Sequence, residues 1–264
     1  MNAKPGHLTR ENAARFQEQG VVSRYHLRSP YPAETFDILL SLISDQPRVV
    51  LDVGTGTGDL ARPLAARVER VDAVDISLPM IEQGKQAPSG DHPHLRWLHG
   101  RAEDVPLSPP YALIMGGESI HWLDWPVTFA RFREVLTANG FVSLVDRSHL
   151  PVPWGENLAP LIGRLSHIKN YESYDLVEEL EKRNCFHLVG EKTTAPISWQ
   201  QAVEDYIGSF HSRSGLSMDG MRPDNVIEFD AQLREMVAPY SENGIITLQA
   251  VARIQWGKPT PPST

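Results

Sequence analysis

The sequence predicts an α/β fold, with a largely parallel sheet and helices on both of its faces. Three observations predict it. From Arg48 onward, short apolar β-branched runs alternate with amphipathic stretches of helix length. The first such run ends in a carboxylate and three alternating glycines, Asp52-Val53-Gly54-Thr55-Gly56-Thr57-Gly58, before a helical segment. A second run closes on another acid, Asp75. At 264 residues, 41% hydrophobic and 22% charged, the chain suits one enlarged domain or a domain with a lid, and can bury a sizeable core.

The elements follow in order. Up to His7 the chain reads as frayed, and Thr9 is placed to cap a helix running toward Gln19. Pro30 and Pro32 force an extended lead into a helix over 33–43. Strands are predicted at 49–53, 71–74, 95–99, 112–115 and 141–145, with helices at 60–67, 78–86 and 126–136. Phe129, Phe132, Val135 and Leu136 share one face of the last helix, which Asn139-Gly140 should stop. After Asp146 the alternation breaks. Helices are expected at 154–170, 175–183, 200–210 and 226–239, with long strands at 186–197 and 245–256. The helices inserted near 150–183 and 200–243 lie where a lid over the ligand edge of the sheet belongs. The predicted organisation is a helical cap (1–46), a ligand-binding core (47–146), remaining strands with the lid (147–257) and a loose proline-rich tail (258–264).

Charge and composition exclude several classes. A net charge of −8 disfavours a nucleic-acid partner, which needs local positive charge to meet phosphates. A single cysteine, Cys185, permits no internal disulfide and suits a reducing cytoplasm. No apolar core marks a signal peptide in the first ten residues, and no run approaches membrane-spanning length, so no membrane partner is expected. His92, His94 and His99 read as surface histidines, so no metal is expected. Monomer and homodimer are equally compatible with the chain. Ser108-Pro109-Pro110-Tyr111 has the lettering of a base-methylating motif but precedes the fourth strand, whereas that motif belongs after it.

The glycine turn carries the chemistry. Glycines let main chain approach a ligand closely, and free N–H groups at the following helix start face it. An acid closing the second strand suits a ribose diol. Two nucleoside cofactors use such a pair, NAD(P) and S-adenosylmethionine. For NAD(P) the third glycine belongs one position later, where this chain has Asp59, and no Tyr-x-x-x-Lys pair follows the fourth strand.

The Gly-x-Gly-x-Gly spacing behind Asp52 resembles the first motif of the class I S-adenosylmethionine-dependent methyltransferases. Asp75-Ile76-Ser77 with Met80, then Ala102-Glu103-Asp104-Val105-Pro106, match later motifs. Gly116-Gly117-Glu118-Ser119-Ile120-His121-Trp122-Leu123 resembles the segment after strand four in the type 11, trans-aconitate methyltransferase-like branch. The lettering of Tyr25 to Pro32 resembles that branch's lead-in helix. The resemblance covers about Tyr25 to Val145, and departs from the family's Pro-Gly-Gly at Ala138-Asn139-Gly140. It implies a Rossmann-like three-layer sandwich of seven strands, the last antiparallel, acting on a small-molecule acceptor. It implies cofactor contacts from Asp52, Gly54, Thr55, Gly56, Gly58, Asp75, Ile76, Met80, Ala102, Glu103, Asp104, Gly117, Glu118, Tyr25 and Arg28. For the acceptor it points to Tyr31, His121, Trp122, Tyr206 and Arg213, with Arg164 and His167 also in the lid segments. His121, His149 and His211 are the candidate bases should the acceptor need one. A carboxylate acceptor would need none, and lid arginines would then matter most. The alternatives are an NAD(P)-dependent oxidoreductase and a protein that binds S-adenosylmethionine without turnover.

Overall fold

In the computed structural model, which describes residues 4–261, eight strands form one sheet. They are β1 (Val49–Val53), β2 (Arg70–Asp75), β3 (Leu95–His99), β4 (Tyr111–Gly117), β5 (Leu136–His149), β6 (Phe186–Thr193), β7 (Ile197–Ala202) and β8 (Ile245–Pro259). Seven lie in the order β3-β2-β1-β4-β5-β8-β6, and β7 pairs with β8 beside them. The pairings from β3 through β5 are parallel, while β8 runs antiparallel to β5, β6 and β7. This is the three-layer arrangement the resemblance implied.

Every residue of β1 is buried, which is why it reads as a continuous apolar run broken only by Asp52. On one face α3 (Ala33–Ser41) and α4 (Ala61–Ala65) cover Val50, Leu113 and Met115. On the other, α6 (Trp125–Val135) presents Trp125, Phe129 and Phe132, all buried against Leu51, Val53 and Ile114. Each of those three rings contributes about 1.5–3 kcal/mol by leaving water.

The cap is more broken than its sequence suggests. Thr9 does accept the Asn12 N–H at 3.1 Å, but α1 covers only Arg10–Ala14. A 3-10 turn and an extended Glu18 separate it from α2 (Gln19–Val22). The helix α5 (Leu78–Gln86) starts at Ser77, whose Oγ accepts the Met80 N–H. α6 ends before Leu136, not at Asn139-Gly140, because Leu136 already pairs with Tyr111 of β4.

The single strand expected over 186–197 is two. Ala195-Pro196 interrupts it, and both halves lie along the same side of the long β8: β7 against 245–250 and β6 against 253–259. β7 takes residues that read as helix, so α9 covers only Val203–Phe210. With α7 (Gly155–Leu165) and α10 (Pro223–Val237), α9 builds a separate apolar cluster around Trp154, Tyr206, Phe210 and Phe229. A short α8 (Leu176–Lys182) packs Val177 and Leu180 into the main core instead. Lys258 and Pro259, expected in the loose tail, pair with β6; Pro262 to Thr264 of that tail lie outside the described residues.

Candidate active site

Successive strands leave β1 in opposite directions, so β2 lies on one side and β4 on the other. A crevice opens at the carboxyl ends of strands where the order reverses in this way. A cavity of about 430 Å³ lies there, with Gly54, Gly56, Asp75, Ile76, Met80, Ala102, Glu103, Gly117 and Glu118 in its wall.

Gly54 and Gly56 carry positive φ angles of 65° and 56°. Gly54 also has no room for a side chain, since a Cβ would stand 2.5 Å from that of Ser119. Ser119 in turn donates to the Val53 carbonyl at 2.6 Å, tying the exit of β4 to the end of β1. The Asp75 carboxylate accepts the Gly56 N–H on Oδ2 and the Ser77 N–H on Oδ1, both at 2.7 Å. Burial raises its pKa, against the pull of those two donors. Each oxygen retains a second acceptor site.

The other wall is a charged plate. Glu118, at φ 53°, holds a backbone conformation that side chains seldom adopt, fixed by its N–H on the Val145 carbonyl at 3.0 Å. Its Oε2 meets Arg147 Nε at 3.0 Å and Arg28 Nη1 at 3.4 Å. Burial alone would raise the Glu118 carboxyl; Arg147, Arg28 and Arg213 outweigh it, and the pKa is lowered. Arg147 also pairs with Asp59 at 3.1 Å and lies over the Tyr31 ring at 4.7 Å. Arg28 lies over Tyr25, whose ring would stand 3.5 Å from a Cβ at Gly56.

The cap closes the remaining side with Lys4, Arg10, Ala13, Ala14, Phe16 and Gln17. The Phe16 carbonyl accepts from Ser77 Oγ at 2.9 Å, and its ring meets Trp122 edge-on at 5.9 Å. Lys4 Nζ donates to the His121 and Leu123 carbonyls, both at 2.8 Å, and its pKa is lowered to about 8 by burial. Trp122 lines the cavity with a buried Nε1–H that has no protein acceptor among the described residues.

Several expected contacts lie elsewhere. Asp52 is buried below the turn, accepting from Thr55 Oγ1 at 2.6 Å, so neither reaches the cavity. Gly58 stands against Trp97, with 2.6 Å for a Cβ, and serves packing. Asp104 is exposed and Glu103 takes its place in the wall. Tyr31 lies behind Gly117, under Arg147. Tyr206 is 4% exposed in the lid core, its hydroxyl accepting from Trp154 Nε1 at 3.0 Å. His211 is 2% exposed, with Nδ1 on the Leu216 carbonyl and Nε2 on Asp230, both at 2.8 Å. Both ring nitrogens are committed, which removes it as a base. The His121 ring packs at a tilt of 53° against Trp122 with centroids 4.8 Å apart, and burial lowers its pKa to about 4. It is neutral near pH 7 but too weak a base to match that pH.

Sequence reasoning missed Lys4, Phe16, Ser119 and Arg147. Arg147 had one available signal, its place at the carboxyl end of the fifth strand; the cap residues had none.

Asp52 gives a prediction on stability. Burial raises its pKa to about 7, with the Thr55 hydrogen bond pulling the other way. The folded state therefore binds this proton more tightly than the unfolded chain. That stabilisation is complete below the ordinary carboxyl pKa and is lost as pH rises through about 7. Asp52→Asn removes the loss, so its gain in Tm over the parent is expected to be larger at pH 8 than at pH 5. A difference of about 5 °C, read by calorimetric melts, corresponds to roughly 2 kcal/mol.

The comparisons agree with this geometry. Residues 50–140 match the model of a family described as a methyltransferase domain. A malonyl-[acyl-carrier protein] O-methyltransferase of Halalkalibacterium halodurans is 34% identical over 105 residues, 37% of this chain and 38% of that protein. A tRNA 5-carboxymethoxyuridine methyltransferase of Escherichia coli is 31% identical over 124 residues, 45% of this chain and 48% of its own. The aligned part thus spans less than half the length of these relatives. A solved structure from Anaeromyxobacter dehalogenans, described as a type II methyltransferase, has a TM-score of 0.62 at 21% identity. It covers 89% of this chain and 99% of its own. The dinucleotide alternative is not favoured: the Asp59 carboxylate, where the third glycine would stand, is engaged by Thr57, Arg62 and Arg147. Residues 50–140 thus match a family of methyltransferase domains, and the three-layer fold is the one that this solved structure shares.

Proposed function

We propose that the protein transfers a methyl group from S-adenosylmethionine to a small-molecule acceptor. One observation carries the reading: a buried carboxylate, Asp75, held by two main-chain N–H groups with acceptor sites to spare, beside a glycine turn in which Gly54 has no room for a side chain. The bound cofactor would supply an electrophilic sulfonium methyl that a nucleophile takes in one displacement.

The chain's own task is binding, orientation and exclusion of water. Asp75 would accept from both ribose hydroxyls. Gly54 and Gly56 would let main chain lie against the amino-acid part, with Glu118 facing its ammonium group and Arg28 beside it. Ile76, Met80, Ala102 and Glu103 would border the base. Phe16 and Trp122 would keep water from the reacting end. Orientation of this kind is worth about 7–11 kcal/mol. The domain reading, a cap (1–46), a cofactor core (47–146) and a lid-bearing remainder (147–257), accords with these roles.

The acidic charge favours a small acceptor over nucleic acid. Among the described residues no helix is long and apolar enough to cross a membrane. We take the cytoplasm as the site of action, and monomer or homodimer as the assembly. The test is transfer of label from methyl-tritiated cofactor into a metabolite extract, with a tRNA fraction run in parallel. Label in an extractable small product is expected; label in tRNA, or none in either, contradicts the reading.

A further inference from the structure

The lid helices α7, α9 and α10 stand outside the cavity, whose wall draws on nothing after Asp124 among the described residues. His149 lies outside that wall too, and so does Arg213, which is exposed over the Phe210 ring at 4.6 Å. The residue before Arg213 behaves differently. Ser212 is fully buried, and both of its oxygens bind Arg28: Oγ accepts from Nε at 2.8 Å and the carbonyl from Nη2 at 2.7 Å. Arg28 itself lines the cavity.

The contact has a fixed direction. The Ser212 hydroxyl donates its proton to the Ser209 carbonyl at 2.6 Å, which leaves only lone pairs for Arg28. The two bonds occupy the Nε–Nη2 edge of the guanidinium. Nη1 is left against Glu118 at 3.4 Å and Tyr25 Oη at 3.5 Å, distances too long to hold the group unaided. A long, flexible side chain is thereby set in one geometry before a ligand arrives, and the ligand is spared the cost of ordering it.

The lid also grips the backbone that carries Arg28. Arg28 follows the 3-10 turn Tyr25–Leu27, and Gln201 of β7 donates from Nε2 to the Leu27 carbonyl at 2.7 Å. Leu27 packs so closely on α9 that a Cβ at Gly208 would stand 2.8 Å from its Cδ1. The Ser212 loop is itself pinned. His211 ties it to the Leu216 carbonyl and Asp230, and Ser214 Oγ donates to the Asn12 carbonyl of the cap at 2.6 Å.

Resting on the methyl-transfer reading, we infer that Ser212 is a positioning residue for the cofactor: it aims Arg28 beside Glu118, so that the lid completes the subsite for the cofactor's amino-acid end. Asp75 holds the ribose without it. Ser212 acts only through Arg28 and takes no part in the transfer itself.

The experiment is calorimetric titration with two ligands, S-adenosylhomocysteine and 5′-methylthioadenosine. The second keeps the base, ribose and sulfur but lacks the amino-acid end. Ser212→Ala is expected to weaken S-adenosylhomocysteine about tenfold, as for loss of one hydrogen bond to a charged group, and to leave methylthioadenosine unchanged. A purely structural role would weaken both alike. Ser212→Thr, which returns a hydroxyl, should recover part of the loss. Adding Ser212→Ala to Arg28→Met should cost nothing beyond Arg28→Met alone. Arg28→Lys keeps the charge but cannot engage both Ser212 oxygens and Glu118 together, so it should also weaken S-adenosylhomocysteine selectively. It leaves the buried loop intact, and decides the question should Ser212→Ala fail to fold. The inference is overturned if Ser212→Ala or Arg28→Lys binds S-adenosylhomocysteine as the parent does, if both ligands weaken alike, or if the losses of Ser212→Ala and Arg28→Met add. Failure of the parent to bind either ligand defeats the methyl-transfer reading instead.

Discussion

Asp75→Ala is expected to weaken S-adenosylhomocysteine binding by at least about 100-fold, since two charge-assisted hydrogen bonds at roughly 1.5–3 kcal/mol each are lost. The folded state should survive. The substitution strands the Gly56 and Ser77 N–H groups, which costs stability. It also removes a carboxylate whose ionised form burial disfavours, which offsets part of that cost. Calorimetry for affinity and a thermal melt for folding separate the two effects. Unchanged affinity would take Asp75 out of the site.

Arg147→Met should produce the largest loss of stability, about 2–4 kcal/mol. Breaking a buried ion pair costs roughly 3–5 kcal/mol when one charge is left alone. Here the discount is specific. The Arg147 side chain is 5% exposed but Glu118 and Asp59 are each 28% exposed, and each keeps a second arginine, Arg28 or Arg62. The Ser29 carbonyl loses its donor at 2.9 Å, and the Tyr31 ring loses its cation. A fall in Tm of about 5–15 °C is expected for a chain of this size. Adding Glu118→Gln should recover part of the fall. No recovery would mean that packing of the arginine stem, rather than its charge, carries the effect.

Legibility in the sequence followed the range of the interaction. The strands β1 to β4 and the glycine turn were readable because apolar runs and alternating glycines act within a few residues. The placement of Gly54, Gly56 and Asp75 in the cavity wall came with them. The split of β6 from β7 was not readable, because it depends on how far β8 extends to pair with both. The end of α6 was missed for the same reason, as Tyr111 captures Leu136 from another strand. In the lid, Tyr206 and His211 have site-like chemistry, but distant partners, Trp154 and Asp230, draw them into its core.

Methyl transfer by this protein requires that the crevice between β1 and β4 hold an adenosyl sulfonium cofactor. The most direct measurement is calorimetric titration of the unmodified protein with S-adenosylhomocysteine and, separately, with NAD. One molecule of S-adenosylhomocysteine per chain with no detectable heat from NAD is the predicted result; no binding of the former, or tighter binding of NAD, would contradict it.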